Sequence, residues 1–207
     1  MGTGNSPFLP LMRGKGWEVT GTEIDAGLVE HFREEEQIQL FHGELKDAHY
    51  ESDSFDAVTI MGVLEHVPDP RRVLEEAGLI VKPGGALCLW CFNRGFEAEA
   101  LGRFWLGFDA PRHFYSFSYQ TMDRLLQETG FEVVGSYFRP LSYTFYTVIW
   151  AVKRARNLLR RGKRATYVSR LPAPLELASR VLGKALAKRN SSSNMYIFAR
   201  KVTPVGK

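Results

Sequence analysis

The stretch that decides the fold is Met1–Asp25, MGTGNSPFLPLMRGKGWEVTGTEID. Gly2 and Gly4 open it, and the residues after them predict a helix over 5–15 and then a short strand that ends at Glu23. Glycines in a turn before a helix let the backbone approach a ligand closely, and the first N–H groups of the helix attract an anion. A carboxylate about 20 residues further on can accept hydrogen bonds from ribose hydroxyls. The stretch therefore predicts a site for a nucleoside cofactor.

Downstream of this stretch, predicted strands and helices alternate. Near-continuous apolar runs predict strands that are buried on both faces, and capping and turn residues mark the helix ends. Predicted strands cover residues 17–22, 38–41, 55–60, 86–92, 131–138 and 194–201, and predicted helices cover residues 26–36, 69–81 and 118–129. This alternation predicts an α/β fold with a doubly wound, mostly parallel sheet, in which ligands bind beyond the carboxyl ends of the strands. The residues expected to meet in one crevice there are Glu23, Glu44, Met61 and Asn93.

Length and composition favour one globular domain with a sizeable core. The two cysteines, Cys88 and Cys91, do not form a disulfide framework, and a zinc site would need two further ligands close by. Both thiols are predicted to be inert, and no metal site is predicted. The N-terminus lacks a charged leader followed by an apolar run, which favours a cytoplasmic location.

The net charge of +4 hides an uneven distribution. Residues 1–150 hold 12 basic and 22 acidic side chains, whereas residues 151–207 hold 15 basic side chains and one acid, Glu176. A basic tail on an acidic domain suggests an anionic partner. The partner could be a membrane surface, a nucleic acid or the acidic domain itself.

Several motifs together resemble the class I S-adenosylmethionine (SAM) dependent methyltransferases. The glycine turn is similar to their D-x-G-x-G-x-G motif, and four further stretches match the family: MGVLEHVPDP at 61–70, VLEEAGLIVKPGGALCL at 73–89, DAPRHFYSFS at 109–118 and TMDRLLQETGFEVV at 121–134. The resemblance implies a Rossmann-like sheet of order 3-2-1-4-5-7-6, with strand 7 antiparallel. Strand 1 is expected to be absent from this chain, because the sequence starts inside the first motif.

The resemblance implies SAM as the cofactor and S-adenosylhomocysteine as its product. Two groups of residues would line the methionine part of SAM: the turn Gly2, Thr3 and Gly4, and the pair Met61 and Gly62.

Four further residues are implied on the nucleoside side. Glu23 would accept hydrogen bonds from the ribose, and Ile24 would pack on the adenine. Glu44 would lie near the adenine amino group, with the Leu45 N–H directed toward the ring.

Two histidines are candidates for a catalytic base or an acceptor ligand, because an imidazole titrates near neutral pH. His66 follows the fourth strand of the family's sheet, and His113 lies where the family places acceptor-binding residues. Arg112 and Tyr115 would bind a polar acceptor and Trp105 would cover it. The alternative is a packed loop without a chemical role.

Residues 139–193 are predicted to form a helical, basic insertion between a core over 1–138 and its last part over 194–207. An aromatic and apolar segment over 141–152 runs into seven basic residues over 153–164, and a second amphipathic helix is predicted over 171–188. This pattern suits a helix at an anionic membrane interface, or a lid over the acceptor pocket.

The function that these patterns favour is SAM-dependent methyl transfer to a small-molecule, lipid-linked or sugar-linked acceptor. An RNA methyltransferase is the alternative enzyme, although no RNA-binding module or row of stacking aromatics is visible and nucleic acid is a disfavoured partner. A non-catalytic SAM-binding or scaffold relative is the alternative from another class. A nicotinamide-dependent dehydrogenase fits the later motifs less well.

Overall fold

The computed structural model describes residues 1–105, 107–138 and 194–202. The predicted helical insertion over 139–193, with its membrane and lid interpretations, lies outside the described residues. Among the helices within these ranges, none combines the length and the apolar character needed to cross a bilayer.

The described residues form five α-helices and six β-strands. The helices are α1 Phe8–Arg13, α2 Ala26–Glu34, α3 Pro70–Ile80, α4 Phe96–Leu101 and α5 Tyr119–Glu128. The strands are β1 Gly21–Glu23, β2 Leu40–His42, β3 Phe55–Met61, β4 Val81–Phe92, β5 Phe131–Phe138 and β6 Asn194–Lys201. Short 3₁₀ turns cover Leu45–Asp47, Leu64–His66 and Gly102–Phe104.

The strands make two sheets. A four-stranded sheet has the order β3-β4-β6-β5, with β3 parallel to β4 and β6 antiparallel to both of its neighbours. Strands β1 and β2 form a separate parallel pair. The order matches the one implied by the resemblance, with no strand of the described chain between β1 and β3. The predicted α/β fold with an antiparallel last strand is confirmed.

The first two residues bridge the two sheets. The α-amino group of Met1 donates to the carbonyl of Thr59 in β3 at 2.9 Å, and the N–H of Gly2 donates to the carbonyl of Thr22 in β1 at 3.0 Å. A cavity of about 260 Å³ lies between β1 and β3 and extends along β3 as far as Phe55. The bridge therefore fixes the carboxyl ends of β1 and β3 near each other, whereas the rest of the gap stays open.

The main core lies between α3, α5 and the four-stranded sheet. Helix α3 begins at Asp69, whose carboxylate accepts a hydrogen bond from the Arg72 N–H at 3.1 Å and so satisfies a free amide of the first turn. Its apolar residues recur at helical spacing, and Leu74 and Ala77 are completely buried. This packing supports the four-stranded sheet, from which the loops after β3 and β4 extend.

Three predicted element boundaries are wrong. The helix predicted over 5–15 is α1, Phe8–Arg13, and the strand predicted over 17–22 is ordered as β1 only from Gly21 to Glu23. The strand predicted over 86–92 already begins at Val81 as β4, and near its start the pairing partner moves from Val81 to Ala86 while β3 advances by two residues. This bulge contains Gly84, whose φ is +75°, because a bulge accommodates a left-handed backbone.

We expect the core to depend on Leu74 far more than on Leu79, although both are leucines of α3. Leu74 is completely buried and Leu79 is 63% exposed. Leu74→Ala should lower the free energy of unfolding by about 2–5 kcal/mol, because it removes buried surface and leaves a cavity. The matched control Leu79→Ala should cost less than about 1 kcal/mol. Urea unfolding of both variants tests this, and equal losses would contradict the placement of α3.

Candidate active site

The first half of the candidate site is the part predicted to bind the nucleoside, and Glu23, the last residue of β1, lies at its centre. Its side chain is 7% exposed, and both carboxylate oxygens accept backbone hydrogen bonds. Oε2 accepts from the Gly4 N–H at 2.8 Å, and Oε1 accepts from the N–H groups of Ile24 and Asp25 at 2.9 and 3.1 Å. Three donors stabilise the anion and leave one acceptor site, on Oε2, for a ligand hydroxyl.

The strand ends around Glu23 are held together by backbone contacts. The Gly43 N–H donates to the Glu23 carbonyl at 2.9 Å, and the His42 Nε2 lies 3.1 Å from the carbonyl of Ile24. Ile24 itself presents an aliphatic side chain that is 74% exposed. An exposed aliphatic residue beside a carboxylate offers one surface for a flat ring and one acceptor for hydroxyls.

Two other residues implied on the nucleoside side lie just beyond β2. Glu44 is exposed, and its carboxylate pairs with Lys46 at 2.9 Å. Leu45 is buried, at 7% exposure. The structure thus places Glu44 at the rim of the crevice rather than in its wall.

The glycine turn has little room for side chains. Gly2 has a φ of +63°, and a Cβ at this residue would lie 2.3 Å from Cγ2 of Val63. Thr3 and Met61 line the cavity between the sheets. The turn and the end of β3 therefore meet at the carboxyl edge of the sheets.

The predicted acceptor-binding residues occupy the loop before α5, and their side chains have partners within the chain. The Arg112 guanidinium is exposed and pairs with Asp109. The Tyr115 hydroxyl donates to the Pro68 carbonyl at 2.7 Å. Trp105 is 2% exposed and therefore belongs to the packed interior below the loop.

The two candidate histidines lie side by side. Their ring centroids are 4.6 Å apart in an edge-to-face arrangement. The Nδ1 atom of His66 is 3.0 Å from the Arg112 carbonyl, and the Nδ1 atom of His113 is 2.8 Å from the Gly107 carbonyl. A carbonyl can only accept, so Nδ1 carries the proton in each neutral ring and Nε2 keeps its lone pair. Residues 47 apart in sequence thus offer two basic nitrogens at one place.

Sequence reasoning missed Glu65, which joins this pair. Its side chain is 2% exposed, and among the described residues neither of its carboxylate oxygens has a hydrogen-bond partner. Its backbone carbonyl accepts from the Phe114 N–H at 2.8 Å, which ties the loop after β3 to the loop of His113. The available signal was the acid in LEHV, which follows an apolar residue and directly precedes a candidate histidine.

The environment of Glu65 disfavours its charged form. Burial raises the pKa of the Glu65 carboxyl above its ordinary value of 4.5, and the nearby backbone N–H groups and the imidazoles of His66 and His113 oppose the shift without cancelling it. Burial also raises the pKa of the Cys91 thiol, with a further contribution from the Glu65 charge. Burial alone raises the pKa of the half-buried Cys88 thiol.

Comparison with known proteins identifies the family. A family described as "Methyltransferase domain" matches residues 1–136. The chain belongs to this methyltransferase family.

It is 29% identical over 103 residues to a ubiquinone biosynthesis O-methyltransferase of Coxiella burnetii, covering 47% of this chain and 44% of that protein. The corresponding protein of Histophilus somni is 31% identical over 111 residues, covering 49% of this chain and 47% of the relative. The chain thus spans about half the length of the curated relatives it matches.

Solved structures show the same fold. A SAM-dependent methyltransferase from Archaeoglobus fulgidus has a TM-score of 0.62 and 16% identity, with 97% of this chain and 83% of that chain covered. At this identity the likeness concerns the fold alone. It agrees with the α/β fold described above.

We expect Glu65→Gln to change how the stability of the protein depends on pH. A carboxyl whose pKa is higher in the folded state takes up protons on folding, so its stabilising contribution is present at low pH and is lost as the pH rises above 4.5 toward the folded pKa. Glutamine does not titrate, and the variant should gain stability relative to wild type between pH 5 and pH 7. Urea unfolding with a chelator present measures this, with the exposed Glu44→Gln as the control. If the difference in unfolding free energy between Glu65→Gln and wild type were the same at pH 5 and pH 7, the raised pKa of Glu65 would be contradicted.

We expect Gly62 to tolerate a methyl group less well than Gly84. Both have positive φ, +66° and +75°, but only at Gly62 would a Cβ meet a neighbour, Cζ3 of Trp90 at 2.6 Å. Gly84→Ala should cost about 1–2 kcal/mol for the backbone conformation. Gly62→Ala should cost about 1–3 kcal/mol more, because the indole must move. Equal unfolding free energies would show that the loop does not approach Trp90 closely.

Proposed function

We propose that this chain binds SAM and transfers its methyl group to a hydroxyl oxygen of a small-molecule, lipid-linked or sugar-linked acceptor. The observation that carries the proposal is the Glu23 carboxylate, which the Gly4 N–H holds at the carboxyl end of β1. Membership of the methyltransferase family supports the reaction class. The name of the curated relatives, ubiquinone biosynthesis O-methyltransferase, supports oxygen as the acceptor atom.

The residues of the first half of the site fit SAM. Glu23 Oε2 offers an acceptor for a ribose hydroxyl, and the exposed Ile24 offers an apolar surface to the adenine. The turn at Gly2 and Gly4 leaves backbone, without side chains, facing the methionine part. The cofactor itself supplies an electrophilic methyl group on a sulfonium, so the protein has mainly to align the acceptor oxygen with that group and exclude water.

The second half of the site can handle the proton of the acceptor. A hydroxyl group must lose its proton for its oxygen to become a good nucleophile, and a neutral imidazole is a suitable base near pH 7. His66 and His113 both keep an Nε2 lone pair, and their loops are joined through the Glu65 carbonyl. His66 is exposed, so a hydroxyl can reach it from the crevice.

The two halves of the site lie at one edge of the sheets. Gly2 and Val63 approach each other closely, and Val63 precedes the 3₁₀ turn Leu64–His66 that carries Glu65. A cofactor bound at the glycine turn would therefore lie next to the loop of the histidines. This adjacency supports methyl transfer over cofactor binding without chemistry.

We expect S-adenosylhomocysteine to bind the purified chain and Glu23→Gln to weaken that binding by about 10–100-fold, because hydrogen bonds to a charged group contribute about 1.5–3 kcal/mol. Isothermal titration calorimetry measures the affinities. Glu44→Gln is the matched control, since its exposed carboxylate pairs with Lys46 at the rim, and it should change the affinity by less than about threefold.

Two outcomes would contradict the proposal. Binding that Glu23→Gln leaves unchanged would show that the nucleoside lies elsewhere. No binding at all by the folded wild-type chain would favour the non-catalytic alternative. Acceptor screening with labelled SAM follows only if the Glu23 variant behaves as expected.

A further inference from the structure

A cluster of three side chains, Glu65, His66 and His113, is not needed to hold SAM in position. One carboxylate oxygen and one nitrogen from each imidazole all lie within 4.8 Å of one another. The carboxylate comes from the 3₁₀ turn after β3, as does His66, whereas His113 comes from the loop before α5. Three groups that can donate electron pairs therefore converge from two separate segments.

The Glu65 carboxylate is the most unusual member. It is 98% removed from solvent, yet among the described residues no donor hydrogen-bonds to either oxygen. Leaving a buried carboxylate unpaired costs several kcal/mol at least, by the order of magnitude for unpaired buried charges. A cation at the cluster would be bound through a carboxylate oxygen and would compensate the negative charge. Proton uptake is the other way to reduce the cost.

The histidines are oriented as metal-binding histidines usually are. Each Nδ1 lies within hydrogen-bond distance of a backbone carbonyl, that of Arg112 for His66 and that of Gly107 for His113. Histidines that bind metals generally donate their second ring N–H to such a carbonyl or to a carboxylate, which fixes the ring and leaves the other nitrogen for the ion. Two rings held in this way beside one carboxylate are unlike a simple packing contact.

We propose that Glu65, His66 and His113 bind a divalent first-row transition-metal ion, for which Zn²⁺ is the reference. Two imidazole nitrogens and one carboxylate are the ligands of open catalytic zinc sites, and Mg²⁺ and Ca²⁺ prefer all-oxygen sites. Ligand atoms about 2.1 Å from a tetrahedral ion are about 3.4 Å apart. The cluster must therefore contract slightly on binding, and the exposed His66 ring has the freedom to do so.

A metal ion at this cluster indicates which class of acceptor the proposed methyl transfer uses. With three protein ligands, at least one coordination position stays open toward the crevice. A phenolic or enolic hydroxyl of the acceptor can occupy it, and coordination lowers the pKa of that hydroxyl so that its proton leaves to water. With the ion bound, His66 and His113 are its ligands and no longer serve as the base. The oxygen then carries the electron pair for attack on the methyl group. This part of the inference rests on the proposed function, whereas metal binding does not.

Calorimetric titration of the chelator-treated 207-residue chain with Zn²⁺ tests the site directly. We expect one ion per chain with a dissociation constant in the micromolar range or below, a rise in melting temperature by mass action, and little response to Mg²⁺. Titration with Co²⁺ should give the intense visible absorption of a low-coordinate site. His66→Ala, His113→Ala and Glu65→Gln should each weaken binding by about 100-fold or more, since even outer-sphere changes cost about 10–100-fold.

His31→Ala is the matched control, because His31 is exposed on α2 away from the cluster, and it should leave Zn²⁺ binding unchanged. No Zn²⁺ binding, or binding that the three cluster variants leave unchanged, would overturn the inference. Unfolding curves of the metal-free variants confirm that each is folded. Titration with S-adenosylhomocysteine in the same buffer separates the two proposals: affinity for it without metal binding would overturn the metal site alone, and metal binding without that affinity would overturn the SAM proposal alone.

Discussion

The site depends on the burial of one anion, the Glu23 carboxylate. A carboxylate that is 7% exposed needs donors, and the chain supplies them from two segments: the glycine turn through Gly4 and the end of β1 through Ile24 and Asp25. Because the same residue's carbonyl binds the N–H of Gly43, the ends of β1 and β2 and the glycine turn are fixed together. This is important because β1 and β3 belong to different sheets, and Met1 and Gly2 bridge their carboxyl ends.

The fold could be predicted from the sequence because its signals are local. Apolar runs identified β3, β4, β5 and β6, and the capping residues Asp69 and Ser118 lie at the starts of α3 and α5, where each accepts an N–H of the first turn. Glu23 was predictable because its distance from the glycines is a property of the chain itself. Element ends were predicted less well. The bulge in β4 uses the Pro83 and Gly84 chemistry that normally ends a strand or begins a turn, and only pairing with β3 shows which of these occurs.

The cluster of Glu65, His66 and His113 could be predicted only in part, because its geometry is not local. Sequence position suggested both histidines separately, yet their contact depends on the loop before α5 returning to the turn after β3. That return is set by backbone hydrogen bonds from Phe114 to Glu65 and by the Tyr115 hydroxyl on Pro68. No periodicity or spacing signals such contacts. The expectation of no metal site followed from weighing cysteines alone, and it left the acid beside His66 out of account.

The two acids at the strand ends show how burial and function are related in this protein. Glu23 and Glu65 are almost equally removed from solvent, but Glu23 accepts three backbone hydrogen bonds, whereas among the described residues no group hydrogen-bonds to the Glu65 carboxylate. The first arrangement is stable without a ligand and still offers lone pairs to one. The second is unfavourable until a proton or a cation compensates the charge. A fold that already stabilises one buried carboxylate with backbone amides could do the same for another. The lack of a hydrogen bond to the Glu65 carboxylate among the described residues, beside two imidazoles, is the reason to seek its partner outside the protein.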